Sequence, residues 1–466
     1  MARGARDLAN KAADQAQFEA VHAGATVPAP AADGAAAGIG AVAGGAAVSA
    51  GRGGLGGLLG SQLGGLPREF WVLWSGTLVN KMGAFVAPFL VLYLTRERGL
   101  SAAAAGSVVA VYGVGALISQ LSGGVLADRV GRRATLIFAL ISFAIAISIL
   151  GVVRSVPLIV VGALLTGLTG ELYRPASSAL VADVIAPRDR PRAFGLLFWA
   201  VNLGFAIATL LAGMLATHSW GLLFGGDAAT SLVFAIVIAK GIRETRPERA
   251  PGSAPGGGLR DVFDDRLMLA IVGITMLFSC VYMQMFSTLP LAMGEHGLSP
   301  AAYGAAIAVN GVAIVLLQPL ASGWLSRRPR VPALAASLLI VGIGFGLNTL
   351  ASTTPQYMAA VIVWTLGEIG HAALATSVIA DLAPPQLRGR YMGVYGFSYG
   401  ASAVIAPIVG TRVLQSYGAT TLWLGCAVLG ALMSAAMLSL RAPLARRTGE
   451  GLPTRAEPTR ARPTRA

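Results

Sequence analysis

Long apolar runs, recurring at near-even intervals from Phe70 to Leu440, constrain this chain more than any other feature. A helix rises 1.5 Å per residue, so about 20 apolar residues cross the hydrocarbon core of a bilayer. Runs of about that length fall at 70–94, 103–127, 134–153, 158–184, 193–217 and 220–239, then at 267–293, 301–325, 331–350, 356–382, 391–414 and 421–440. Backbone amides have no water to bond inside a bilayer, so such runs are helical. The reading is an all-α membrane protein with twelve transmembrane helices. Charged residues make up only 12% of the chain, against about 25% in a soluble domain.

The apolar runs divide the rest. Residues 1–66 are rich in Ala and Gly, carry scattered charge and lack the leucine-rich core of a signal peptide. They read as a disordered cytoplasmic extension, with an overlong start as the alternative. A Pro/Gly/Arg-rich linker, 240–266, separates a first six-helix half (67–239) from a second (267–441). The tail, 442–466, is rich in Arg, Pro and Thr and is expected to be disordered.

A net charge of +14 would suit nucleic acid or a membrane surface. The positions of the arginines decide for the membrane. The turns after the even-numbered spans, with the linker, hold seventeen Lys and Arg; the opposite side shows only Arg96, Arg98, Arg154 and Arg412. By the positive-inside rule both termini are cytoplasmic and the chain is a multi-pass protein of the cell membrane, with lipid rather than nucleic acid as its surroundings. Cys280 and Cys426 lie within apolar runs, 146 residues apart, and suggest neither a disulfide framework nor a metal site. No G-x-x-x-x-G-K-[ST] loop and no H-E-x-x-H array is present, so neither ATP hydrolysis nor a cofactor is expected and the chain is read as no enzyme.

The halves repeat. Asp183, Pro187, Arg190, Arg192 and Gly195 recur as Asp381, Pro385, Arg388, Arg390 and Gly393, each shifted by 198 residues. Parallel duplicated halves place a central site at their interface, as in transporters. Candidates for that site are the ionisable groups near mid-span, which are costly to bury unless paired or facing water. Glu171 and Arg174 lie in the fourth span and Glu368 and His371 in the tenth, each pair at i, i+3 and so on one helix face. A carboxylate there can be neutral in a dry cavity and ionised in a wet one, which makes Glu171 or Glu368 a proton carrier; the alternative is a static Glu171–Arg174 bridge. His371 suits a proton relay or a structural hydrogen bond. Lys81, beside Asn80, lies roughly 15 Å into the first span. It either pairs with Glu171, meets an anionic substrate group, or stretches to the headgroups. Tyr112, Gln120, Asn202, Tyr282, Gln284, Asn310, Gln318, Tyr395 and Tyr399 either line the cavity or bond neighbouring helices, and Tyr395 and Tyr399 stand one turn apart.

Between the second and third spans, Gly124-Val125-Leu126-Ala127-Asp128-Arg129-Val130-Gly131-Arg132-Arg133 sets four charges and two glycines in ten residues. Gly124 suits close approach of a neighbouring helix, and Gly131 a tight reversal. Read as G-x-x-x-D-R-x-G-R-R, the stretch resembles the loop 2–3 motif of the major facilitator superfamily. The degraded second copy, Ser322-Gly323-Trp324-Leu325-Ser326-Arg327-Arg328, has serine in place of the aspartate. The first span (Asn80-Lys81-Met82-Gly83, then Pro88-Phe89-Leu90 and Leu92-Tyr93-Leu94) resembles the twelve-span drug:proton antiporter branch. The fourth (Gly167-Leu168-Thr169-Gly170 to Pro175 and Ser178-Ala179-Leu180-Val181) is similar to its MdtH-type multidrug-resistance members. That resemblance implies a conformational latch in which Asp128 caps the eleventh helix in the outward-facing state and Arg132 bridges to Asp183, with Arg129 and Arg133 beside them. It also implies a monomer that moves a small organic solute by alternating access, exporting drugs or metabolites against protons. Two patterns of that branch are not met. The fifth span keeps Gly204 and Gly213 of G-x-x-x-G-P-x-x-G-G without its proline, and the fourth has Glu171-Leu172-Tyr173-Arg174 where R-x-x-Q-G-x-G is usual. Uptake by proton symport of a sugar, peptide or organic acid is the rival, and a non-transporting receptor of the same fold a third reading.

Overall fold

The computed structural model describes residues 65–244, 262–325, 327–384 and 387–448, and every regular element among them is a helix. Spans α1–α6 are Arg68–Glu97, Ala102–Val130, Arg132–Val152, Val156–Val184, Arg190–Ala216 and Trp220–Gly241. After the linker come α7 (Arg266–Ser287, continued by Leu289–Glu295), α8 (Pro300–Leu325), α9 (Arg330–Leu347) and α10 (Thr354–Leu382). One long helix, Arg388–Ser439, bends at Gly418 (φ 80°), and its two arms are α11 (388–417) and α12 (419–439). Among the described residues the count of spans is therefore twelve. Side chains such as Phe138, Ile145, Leu320 and Leu432 are more than half exposed, an apolar exterior that suits lipid. Most of the expected extension, linker and tail (1–64, 245–261 and 449–466) lies outside the described residues.

The repeat runs deeper than its five matched residues. Arg68, Ala102, Arg132, Val156 and Arg190 open the first five spans, and Arg266, Pro300, Arg330, Thr354 and Arg388 open the seventh to the eleventh, a constant offset of 198 residues. Trp220 opens α6, and the bend at Gly418 lies 198 residues later.

Three spans expected to be continuous are broken. α1 stops at Met82 and resumes at Val86; α4 is interrupted at Glu171 and Leu172; α7 is interrupted at Met283 and Thr288. Broken backbone at membrane depth is tolerated where it is buried in protein or lines a cavity, so these breaks mark the site.

The expectation of a tail disordered from its start is corrected. Arg441–Thr448 forms a further helix, α13, because Leu444 is buried and Arg447 bonds Asp265 at 2.8 Å. Asp265 also accepts the Tyr391 hydroxyl at 2.7 Å and caps α7 through the N–H groups of Leu267 and Met268. Burial raises this carboxyl, but the bonds from Tyr391, Arg447 and Met268 outweigh it and hold it below the usual aspartate value.

Candidate functional site

The halves close on each other at the face opposite the arginine-rich turns. There the Tyr303 hydroxyl (α8) donates to the carbonyls of Pro88 (3.1 Å, α1) and Met285 (3.0 Å, α7), and its ring meets Phe89 edge-on at 5.0 Å. Gln415 accepts the Ala103 N–H at the start of α2 (2.9 Å), and Arg96 reaches the Leu298 carbonyl (3.3 Å). Gly213 and Gly304 bring the backbones of α5 and α8 together, with no room for a Cβ on either. Toward the arginine face the α2–α11 contact runs from Gly106–Thr411 through Gly113–Ala403 to Leu117–Gly400. Beyond it, no described atom lies within 4 Å of where a Gly124 Cβ would stand. Among the described residues the close approach expected at Gly124 is not made.

Between seal and opening lies a cavity of about 340 Å³ lined by both halves. Its first-half wall is charged. Glu171 sits at the break of α4, its Oε2 2.5 Å from Arg174 Nε, with both side chains about one-fifth exposed. The N–H is not aimed along that contact, so the pair is ionic without a well-formed hydrogen bond. Lys81 lies at the break of α1 with its ammonium 5.2 Å from the Tyr173 ring centroid. The expected Lys81–Glu171 pair is absent: Lys81 has no ion pair within 4.0 Å among the described residues. Asn80, behind it, donates to Ser231 Oγ of α6 at 3.0 Å.

The second-half wall is aromatic and uncharged. Tyr282, Phe286, Asn310 and Tyr399 line it, and Phe286 meets Phe205 of α5 across the cavity at 6.0 Å. Glu368 stands one layer behind, accepting from Asn310 at 2.7 Å and from the Tyr282 hydroxyl. His371 is fully buried, stacked on Phe278 at 3.7 Å, and does not line the cavity; the structure places it as packing. Asn202 and Gln120 do line it. Gln284, Gln318 and Tyr395 do not. Gln284 donates to the Cys280 and Ala406 carbonyls and accepts from Ser287 and Thr288, which ties the break of α7 together. Tyr395 bonds Tyr399 from behind at 3.2 Å.

One site residue escaped the sequence reading. Asp227, in the middle of α6, is 3% exposed, lines the cavity, and accepts the Val86 N–H at 3.2 Å where α1 resumes. The signal was available: it is the only charged residue between Trp220 and Ala239. The argument that singled out Glu171 applies to it equally.

At the arginine face Gly131 turns with φ 113°, and Arg132, 6% exposed, bonds both Asp128 (2.6 Å) and Asp183 (3.2 Å). Arg133 holds the Ala239 carbonyl at the end of α6, while Glu244 caps α3 through the N–H groups of Arg133 and Ala134. Arg129 is exposed. In the second half Arg330 pairs with Asp381, the same two positions 198 residues later, in the copy that has lost its aspartate to Ser326.

Comparison with known proteins gives the arrangement its class. The family model described as Major Facilitator Superfamily matches residues 73–299 and 285–465, and the chain belongs to that family. A Na(+), Li(+), K(+)/H(+) antiporter of Planococcus maritimus is 27% identical over 359 residues, covering 69% of this chain and 84% of the relative. The multidrug resistance protein MdtH of Enterobacter sp. strain 638 is 26% identical over 331 residues, covering 70% and 81%. Among solved structures, the peptide transporter POT in complex with sulfate superposes with a TM-score of 0.70 at 17% identity, covering 82% of this chain and 96% of that one, a likeness of fold. The protein is a secondary transporter for a small solute.

Proposed function

We propose that this transporter exports a small amphipathic organic molecule from the cytoplasm in exchange for protons. The observation that carries the reading is a cavity sealed at one face, with titratable groups at helix breaks on one wall and aromatic rings on the other. The arginine-rich turns face the cytoplasm of the cell membrane, so the state described is inward-facing, and the chain works as a monomer with both termini inside. The aromatic wall takes the flat apolar part of the substrate, and Lys81, Arg174 and Glu171 its polar end. Glu171 is the proton carrier: it faces the cavity directly, whereas Glu368 is enclosed by Asn310 and Tyr282. The exchange relation of the antiporter among its relatives and the multidrug role in the name of MdtH support export against protons. Asp128, Arg132 and Asp183 act as a latch. Ion pairs present in one state only bias that state by their full strength, although each is weak.

Counterflow of a compound panel in proteoliposomes, with and without a pH gradient, tests the proposal. Export by antiport is expected to appear as accumulation when the lumen is the acid side. Accumulation only when the bath is acid would make the protein an uptake symporter, and counterflow indifferent to any gradient would remove the proton.

A further inference from the structure

The break in α1 sets a lysine on its near side and receives a carboxylate on its far side. Lys81 belongs to the piece Arg68–Met82, and its ammonium rests over Tyr173 of α4. Asp227 of α6 accepts the backbone N–H of Val86 where the second piece begins, while the Phe85 N–H turns back to the Gly83 carbonyl at 2.7 Å. α6 is moulded to the break: Ser231 takes the Asn80 amide, and Phe85 lies where a side chain on Gly226 would stand. Lys81 and Asp227 line the same cavity on either side of the break, with no ion pair of 4.0 Å or less between them. The other titratable groups around Asp227 are Tyr112 from α2 and Glu171, Tyr173 and Arg174 from α4. The charged residues of α3 and α5, Arg132, Arg133, Arg190 and Arg192, lie at the arginine face, a different depth. Since Arg174 is engaged by Glu171, Lys81 is, among the described residues that line the cavity, the cation without an ion pair.

We propose that Asp227 is a second proton-binding residue of this cavity, and that its proton decides whether Lys81 rests on Tyr173 or crosses the break to pair with Asp227. The neutral carboxyl still accepts the Val86 N–H and makes no demand on Lys81, which is the arrangement described. Loss of the proton to cavity water leaves a charge that draws the ammonium across, because opposite charges in a poorly hydrated site attract strongly. That movement joins the two pieces of α1 through α6. The second piece carries Pro88, whose carbonyl accepts the Tyr303 hydroxyl of the other half, so the proton on Asp227 is connected to the outer seal within three residues of Val86. The inference rests on the proposed function only in taking the proton as the coupled ion.

The test follows the outer seal without transport. Spin labels at Ser155→Cys and Ser352→Cys, exposed positions in the outer turns of the two halves, are placed in a Cys280→Ser, Cys426→Ala background. Distances are measured in nanodiscs from about pH 5 to about pH 9, a range that spans shifted carboxylates. In the parent the outer-closed population is expected to fall by about two-fold or more as pH rises. Asp227→Asn keeps an acceptor for Val86 and is expected to remain outer-closed at every pH. Lys81→Gln is expected to lose the response too, and it serves as the reading should Asp227→Asn fail to fold. A parent without a pH response, or a response unchanged in either variant, overturns the proposal. Substrate counterflow through the parent without a gradient tests the transport reading separately, because it requires no titration of Asp227.

Discussion

Lys81, Glu171, Arg174 and Asp227 in the first half have Ser279, Ile369, Ala372 and Gly425 at the positions 198 residues later, although the spans that carry them start or bend at that same offset. Both halves break their first helix at membrane depth. In α1 the break is capped by a carboxylate, in α7 it is tied by the neutral amide of Gln284. The backbone break thus belongs to the duplicated scaffold, and the charged residues that line the cavity belong to one copy. At the arginine face the imbalance runs the other way: α7 begins under the Asp265 cap, whereas α1 begins at Pro67 with no side-chain cap. On the proposed function the first half carries the proton, while the second supplies the aromatic wall, and both form the seal.

The largest expected effect comes from turning the first half into the second at α4. Arg174→Ala alone leaves Glu171 without its cation, and removing one member of a substantially buried pair costs about 3 kcal/mol. The double change Glu171→Ile with Arg174→Ala installs the residues of the other copy and is expected to recover most of that stability while abolishing pH-driven transport. Thermal unfolding in detergent and proteoliposome flux check the two parts. Instability in the double variant equal to the single would mean that the pair is not the source of the loss.

The latch sharpens the comparison at smaller cost. Asp128→Ser gives the first copy the serine of the second and leaves Arg132 on Asp183 alone, as Arg330 stands on Asp381. Asp128 is 65% exposed on its side chain, so the loss is at most about 1 kcal/mol, or roughly five-fold in transport rate, with equilibrium substrate binding unchanged. A large loss of substrate binding by folded protein would place Asp128 in the site instead.

The smallest effect concerns the Asp265 cluster of the second half. A carboxyl held below its ordinary value contributes stability that is complete above the unfolded value, about 3.9, and disappears as pH falls through the folded one. The melting difference between the parent and Asp265→Asn is therefore expected to be constant from neutral pH to about 5 and to vanish only in stronger acid. A difference that shrinks between pH 7 and about 5 would contradict the cluster.

The spans, their number and the duplication were legible because hydropathy and a fixed offset are properties of the chain itself. Glu171, Arg174, Lys81 and the tyrosines Tyr282 and Tyr399 were legible as cavity residues because polar groups in an apolar run have few other places to go. The breaks were not. Their local signal lies downstream: Pro88 and Pro175 have no N–H to give the carbonyls of Ala84 and Glu171, four residues earlier, and the apolar runs hide this. Arg330 lies two residues beyond the degraded motif copy that ends at Arg328, and only the 198-residue offset from Arg132 identifies it. His371 shares the i, i+3 spacing of Arg174, but the stack on Phe278 removes it from the wall, and spacing does not report depth. The Arg- and Pro-rich composition after Arg441 pointed to disorder, while a single buried leucine and the Arg447–Asp265 bond hold its first two turns as helix.

The division of labour between the halves is tested most directly by Glu171→Gln beside Glu368→Gln, each keeping side-chain shape and removing one titration. The flux of one substrate is followed in proteoliposomes as accumulation driven only by a pH difference, and as counterflow without any gradient. The expected result is that Glu171→Gln loses accumulation and keeps counterflow, while Glu368→Gln keeps both. A Glu171→Gln protein that still concentrates substrate on a pH difference alone would contradict the account.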